Sequence, residues 1–162
     1  MSEALDELLA IMARLRAADG CPWDREQTFA SIAPYTIEEA YEVAAAIESG
    51  DLQQLRDELG DLLLQVAFHA QIASEAGHFN FEAVAAGINR KLVRRHPHIF
   101  AAAGVAPRSA REQTGVWEDI KAQERRGTAP SASSHLDGVP QALPALLTFA
   151  AVTLLFAMVG FG

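Results

Sequence analysis

"IEEAYEVAAAIESGDLQQLRDELGDL", residues 37–62, reads as two helices separated by a break at Ser49-Gly50-Asp51. Glycine stops a helix readily and aspartate caps the next, so the connection is very short. Two helices joined this way run antiparallel, as an αα-hairpin. Residues equally far from Gly50 then lie level with each other: Glu42 with Glu58, and Glu39 with Asp61. At a rise of about 1.5 Å per residue, the first pair stands about 12 Å from the turn and the second about one turn farther. Glu39/Glu42 and Glu58/Asp61 are i,i+3 pairs, so each pair shares a helix face. Four carboxylates can therefore converge from two helices, with Glu38 flanking them one turn from Glu42.

From Glu26 to Phe81 the only lysine or arginine is Arg56. Unneutralised like charges at these spacings cost a few tenths of a kcal/mol per pair on an exposed helix, and more when partly buried. A bound cation removes that cost. All the ligands on offer are hard oxygens, which suits Mg²⁺, with Mn²⁺ as a substitute. Zinc would want histidine or cysteine at suitable spacing. A di-iron bundle would want two Glu-x-x-His motifs, and Glu75 to His78 is the only one, straddling Gly77. The alternative is a solvated acidic face. In that reading Glu39 only completes a capping box with Thr36, opening a helix near Ile37.

Outward from the hairpin, helical patterning continues. Leu5, Leu8, Leu9, Met12 and Leu15 predict an amphipathic helix over about 3–17, broken at "DGCPWD" and followed by a loop. Leu52, Leu55, Leu59, Leu62, Val66 and Ala70 mark one apolar stripe to be buried, on a helix reaching about Glu75. One short partner helix cannot cover all of it, so a second subunit should, about a two-fold axis. Asn80 can cap a helix from Phe81 to Arg95, closed by Pro97. Ser109 and Glu112 make another capping-box spacing, for a helix to roughly Arg125. No segment alternates as a strand, and the chain is read as all-α.

The chain has 162 residues and a net charge of -8, which argues against a general nucleic-acid binder. Its one cysteine, Cys21, excludes an internal disulfide framework and is compatible with the cytoplasm. "MSEALDELLAIMARLR" carries acids where a signal peptide needs positive charge. "GTAPSASSH" has linker composition. From Ala145 to Phe161 no residue is charged, a length at the lower edge of membrane spanning, so either a buried or interface helix or a weak membrane segment fits.

If the metal carries a phosphorylated substrate, cations should reach its outer oxygens. Lys91 and Arg95 are i,i+4 on one face with Arg94 beside them, and arginine forks suit phosphate. Trp117 and Lys121 repeat that spacing on the later helix. Each has an ordinary explanation too: a basic helix end complements the helix dipole, and a lone tryptophan is often core. His96 and His98 flank Pro97 and more simply finish the helix, and Cys21 and Trp23 read as loop anchors.

"EEAYE" at 38–42 and "ELGD" at 58–61 resemble the E-E-x-x-E…E-x-x-D signature of MazG-type nucleoside triphosphate pyrophosphohydrolases. "GCPWDREQTFASIAPYTIEEAYE" (20–42) and "KLVRRHPHIF" (91–100) extend the resemblance, which runs from about Leu8 to Leu146. It implies a MazG-like helical bundle with a four-helix core completed by dimerisation or a higher homo-oligomer. It also implies Mg²⁺-dependent hydrolysis of a nucleoside triphosphate to the monophosphate and pyrophosphate, with housecleaning breadth. By that resemblance Glu39, Glu42, Glu58 and Asp61 are metal ligands, and Glu38 is a second-metal ligand or the base that orients water. Lys91, Arg94, Arg95, Trp117 and Lys121 hold the nucleotide. Residues 1–126 form the catalytic domain, with 127–162 a linker and apolar tail. Two departures stand out. Many family members carry two such domains, and after "LPAL" this chain reads "LTFAAVTLLFAMVGFG" where the family has a basic amphipathic helix. A helical oligomerising or partner-binding domain of weak activity is the alternative; the complete acidic set argues against it.

Overall fold

A computed structural model describes residues 2–100 and 109–128. Among them every regular element is a helix: α1 Glu3–Arg16, α2 Pro22–Glu26, α3 Phe29–Ser49, α4 Leu52–Glu75, α5 Phe81–Arg95, α6 Pro97–Phe100 and α7 Ala110–Thr128. The chain divides into two compact units between His96 and Pro97, so α1 to α5 form one unit and α7 lies in the other.

The hairpin forms as its punctuation requires. Gly50 adopts a left-handed conformation, φ 74°, and its N–H donates to the Ile47 carbonyl. Any other residue would be strained there. Asp51 Oδ1 accepts from the Gln53 and Gln54 amides at 2.9 and 3.1 Å, satisfying two of the orphan donors of α4. Asn80 caps α5 in the same way, accepting from the Ala83 amide at 2.9 Å. Ser109 and Glu112 form the reciprocal pair expected at the start of α7. That helix runs to Thr128, three residues past the expected end, because Gly127 does not stop it. Residues 129–162, with most of the expected linker and the whole apolar tail, lie outside the described residues.

Two expectations need correction. First, α3 does not start near Ile37 but at Phe29, eight residues earlier. Thr28 is the N-cap: its hydroxyl accepts from the Ser31 amide at 3.2 Å, and Ser31 Oγ accepts from the Thr28 amide at 2.9 Å. Pro34 then sits inside the helix, where it removes the one N–H that would have reached Ala30. Thr36 caps nothing; its hydroxyl reaches the Ile32 carbonyl and, at 3.0 Å, His69 Nε2. Glu39 thus lies mid-helix, and its explanation as a capping residue lapses.

Second, "DGCPWD" is not wholly irregular. Pro22 occupies the first position of α2, where a missing N–H costs nothing, and Cys21 is its N-cap. The chain turns into it through Gly20, at which a Cβ would overlap the Leu15 carbonyl oxygen. Trp23 does act as an anchor, with edge contacts to Tyr35 at 6.1 Å and Phe68 at 6.5 Å.

The apolar stripe of α4, expected to be covered by a second subunit, is largely open on the single chain. Leu52 is 77% exposed, Leu59 49% and Val66 37%; of the six residues only Ala70 is buried. Burial shifts to Gln65, Ala67, Phe68, Ala70, Ile72 and Ala73. The cause is coverage: α3 packs along α4, whereas α1 and α5 also pack against it. Met12 of α1, Ile32 of α3 and Phe68 and Ile72 of α4 make the core, with Leu15 and Leu64 against it.

Arg16 ties these pieces together. Its side chain is 7% exposed and forms a fork with both Glu75 oxygens at 2.8 to 3.0 Å. The same guanidinium donates to the Asp24 and Gln27 carbonyls and lies 5.4 Å from the Phe68 ring centroid. Glu75 is held below the usual carboxylate range, chiefly by the hydrogen bond from Arg16.

Candidate metal centre

The antiparallel hairpin brings α3 and α4 side by side, and the i,i+3 acids of each face the other. One carboxylate oxygen from each of Glu39, Glu58 and Asp61 lies within 4.8 Å of the other two. Glu42, one turn from Glu39 on α3, is outside that mutually close group. Glu39 is pushed above the ordinary carboxylate range, first by loss of solvent, then by the charges of Asp61 and Glu42 and, more weakly, Glu58.

No basic side chain offsets the raised proton affinity of Glu39. Arg56, two residues before Glu58, donates to Asp57 Oδ1 at 2.6 and 2.9 Å. The Gln54 amide reaches Glu58 Oε1 at 3.4 Å, a weak contact with no charge to offer.

The donor set can be tested against an ion. Mg²⁺ with oxygens at about 2.1 Å sets neighbouring ligands about 3 Å apart and opposite ones about 4.2 Å apart. Three oxygens already within 4.8 Å of one another need only small side-chain rotations to reach that geometry. All are carboxylate, which disfavours zinc. The residues present fit a hard divalent cation.

The remaining candidates lie elsewhere. Glu38 is exposed and outside the mutually close group, since the next position along a helix turns about 100° away from Glu39. Lys91 and Arg94 are exposed, and Arg95 is half-buried, in the last turns of α5. Asp61 and Arg95 stand equally far from His78 along the chain, and α4 and α5 pack against each other. Trp117 and Lys121 lie on α7, in the other unit; both are half-buried, and Lys121 Nζ donates to Glu118 Oε1 at 2.6 Å. His96 caps α5, its Nδ1 2.7 Å from the Leu92 carbonyl oxygen.

Sequence reasoning missed the polar groups beyond the acids. His69 stacks on Phe29 at 5.9 Å, meets Thr36, and has its basicity lowered by burial. Gln65 is 93% buried between these groups and the acids. A signal was present: Asp61, Gln65 and His69 repeat at four-residue spacing on a face that otherwise reads as apolar.

Residues 27–100 match the MazG nucleotide pyrophosphohydrolase domain. An Escherichia coli nucleoside triphosphate pyrophosphohydrolase is 51% identical over 158 residues, covering 97% of this chain and 59% of that protein. A Thermotoga maritima nucleoside triphosphate pyrophosphohydrolase/pyrophosphatase is 48% identical over 141 residues, 87% of this chain and 52% of the relative. The chain therefore spans only about half to three-fifths of the length of these relatives. The crystal structure of a mazG-related protein from Thermotoga maritima superposes with a TM-score of 0.58 at 25% identity, covering 72% of this chain and 98% of that one.

Proposed function

We propose that this chain, whose residues 27–100 match the MazG nucleotide pyrophosphohydrolase domain and which is 51% identical to an Escherichia coli nucleoside triphosphate pyrophosphohydrolase, hydrolyses nucleoside triphosphates to monophosphate and pyrophosphate in a Mg²⁺-dependent reaction. The observation that carries the reading is the convergence of Glu39, Glu58 and Asp61 within 4.8 Å, where burial and the neighbouring charges disfavour the ionised form of Glu39.

In this reading Glu39, Glu42, Glu58 and Asp61 hold Mg²⁺, with Mn²⁺ able to replace it. The ion would supply charge stabilisation to the phosphate oxygens. Lys91, Arg94 and Arg95 neutralise the outer phosphates, with arginine forks matched to their oxygens. Trp117 offers a stacking face, and Lys121 a further ammonium once it leaves Glu118. Water attacks the α-phosphorus as the bond to the α–β bridging oxygen breaks. The water proton passes to Glu38, and pyrophosphate leaves. No covalent intermediate is needed, because positioning and charge stabilisation carry phosphoryl transfer.

None of the groups in this arrangement reads a particular base, which suits broad nucleotide housecleaning in the cytoplasm. Leu52, Leu59, Leu63 and Val66 form an exposed apolar face on α4 that a second copy would cover, completing a four-helix core. Pyrophosphate release from a panel of NTPs and dNTPs, with and without Mg²⁺, tests the reading. Glu42→Gln and Asp61→Asn should abolish turnover while helix content stays native. Turnover that persists in both variants, or without divalent ion, would remove the metal site from the mechanism.

A further inference from the structure

Like charges gather across the seam between α3 and α4. A carboxylate oxygen of Glu39 comes within 4.8 Å of one from Glu58 and one from Asp61, and their charges help to raise its proton affinity. Such repulsion drives the two helices apart where these acids stand. On one side the chain itself resists, because the Gly50 turn closes the hairpin eleven residues from Glu39, about 16 Å along the helix. On the other side Ile32 packs in the core with Phe68 and Ile72. Apolar burial draws helices together but is non-directional, so it does not fix how far one slides or rolls against the other.

A polar contact can fix that register. Among the described residues one side-chain hydrogen bond joins α3 to α4: Thr36 Oγ1 lies 3.0 Å from His69 Nε2. Phe29, two turns before Thr36 on the same face of α3, stacks on the same imidazole, with centroids 5.9 Å apart and planes 12° from parallel. His69 is thus held by α3 at two points, at its edge by the hydroxyl and across its face by the phenyl ring. Burial lowers its basicity, so it is poorly suited to supply counter-charge to the acids. What it supplies is geometry.

We propose that His69 is a positioning residue for the metal centre: gripped by Thr36 and Phe29, it sets the register of α4 against α3 and so the span from Glu39 to Glu58 and Asp61. This rests on the metal-site reading above. Thr36 is three residues from Glu39, about 4.5 Å along α3, and His69 is eight from Asp61, about 12 Å along α4. The acids therefore stand between two ties, the Gly50 turn and the Thr36–His69 bond. A slip at the second tie is carried to them by two continuous helices. A slip of about 1 Å matters, because Mg²⁺ demands near-ideal octahedral spacing of its oxygens.

The test is calorimetric titration of the full chain with Mg²⁺ alone, well below the melting temperature, with thermal unfolding in chelator measured alongside. Wild type is compared with Thr36→Val, His69→Leu, the double variant and His69→Gln, whose amide nitrogen can take the place of Nε2. Thr36→Val and His69→Leu should each weaken Mg²⁺ binding about tenfold, the lower end of what supporting hydrogen bonds contribute at metal sites. The double variant should be no weaker than either single one, since both break the same bond. His69→Gln should bind Mg²⁺ nearly as the wild type does.

Variants that melt lower yet keep the wild-type Mg²⁺ affinity make the bond a structural one and overturn the inference. Losses that add in the double variant overturn it too, as does a His69→Gln protein as weak as His69→Leu. A wild type that binds no Mg²⁺ overturns the inference together with the metal site beneath it, whereas unchanged affinity in the variants leaves that site standing.

Discussion

Glu39→Gln should make the metal-free protein more stable at neutral pH and deprive it of stabilisation by Mg²⁺. Glu39 is the member of the cluster whose proton affinity is raised, by burial and then by Asp61, Glu42 and Glu58. A carboxyl whose folded-state pKa is raised contributes its full stability at low pH and loses it as pH rises through that raised value. Wild type and variant should therefore melt together near pH 4, where Glu39 is protonated and resembles glutamine. Their curves should part as pH rises. With three acidic neighbours at a few tenths of a kcal/mol each, the variant gains about 1 kcal/mol near pH 7.5. For a chain of this size that is roughly 2–4 °C. Saturating Mg²⁺ reverses the order. At a hundredfold excess over its dissociation constant it stabilises the wild type by about 2.7 kcal/mol, or roughly 5–10 °C. The variant, short of one ligand, should gain little. Differential scanning fluorimetry from pH 4 to 8, in chelator and in Mg²⁺, reads both effects. A metal-free variant several degrees less stable at pH 7.5 would show that Glu39 holds the hairpin together. A Mg²⁺ shift equal to the wild type's would show that the ion binds elsewhere.

Arg16→Met should cost about 2 kcal/mol at pH 7, since it leaves the Asp24 and Gln27 carbonyls short of a donor, while Glu75, partly exposed, keeps Gln71 and water. Glu75 is held below its ordinary range, so its contribution is present above about pH 4.5 and fades as pH falls through the lowered value. The penalty in urea unfolding should shrink at pH 3, and a penalty independent of pH would refute the ion-pair account. Lys91→Ala should raise KM for the nucleotide roughly tenfold with the Mg²⁺ requirement unchanged. A matching loss of metal affinity would end the proposed separation of phosphate and metal groups. Light scattering at micromolar concentration should give the mass of a dimer, because Leu52, Leu59 and Val66 are open on the single chain. An active monomer would show that the apolar face has another use.

The hairpin was legible in the sequence because its signals are local. Gly50 needs a left-handed backbone, Asp51 and Asn80 cap helices with their own side chains, and acid spacing fixes which carboxylates share a face. Each of those effects acts within about one turn of chain. The start of α3 was misread for a related reason: Thr36 and Glu39 offer the commoner capping pattern, while the pair that forms is Thr28 with Ser31. Burial of Ile32 in the core with Met12 and Phe68 favours the earlier start.

What only the tertiary structure decided depends on contacts between distant segments. Arg16 reaches Glu75 across 59 residues of sequence, and no periodicity announces that pairing. The exposure of Leu59 and Val66 on the single chain follows from which helices lie against α4. Spacing placed four acids on facing surfaces, but the separation of α3 and α4 brought only Glu39, Glu58 and Asp61 within 4.8 Å of one another and left Glu42, like Glu38, outside that group. The same packing buried Gln65 without a partner for its amide oxygen. Sequence sets the direction in which a side chain leaves its helix; the distance to its neighbours, and with it proton affinity and metal fit, is set by how the helices pack.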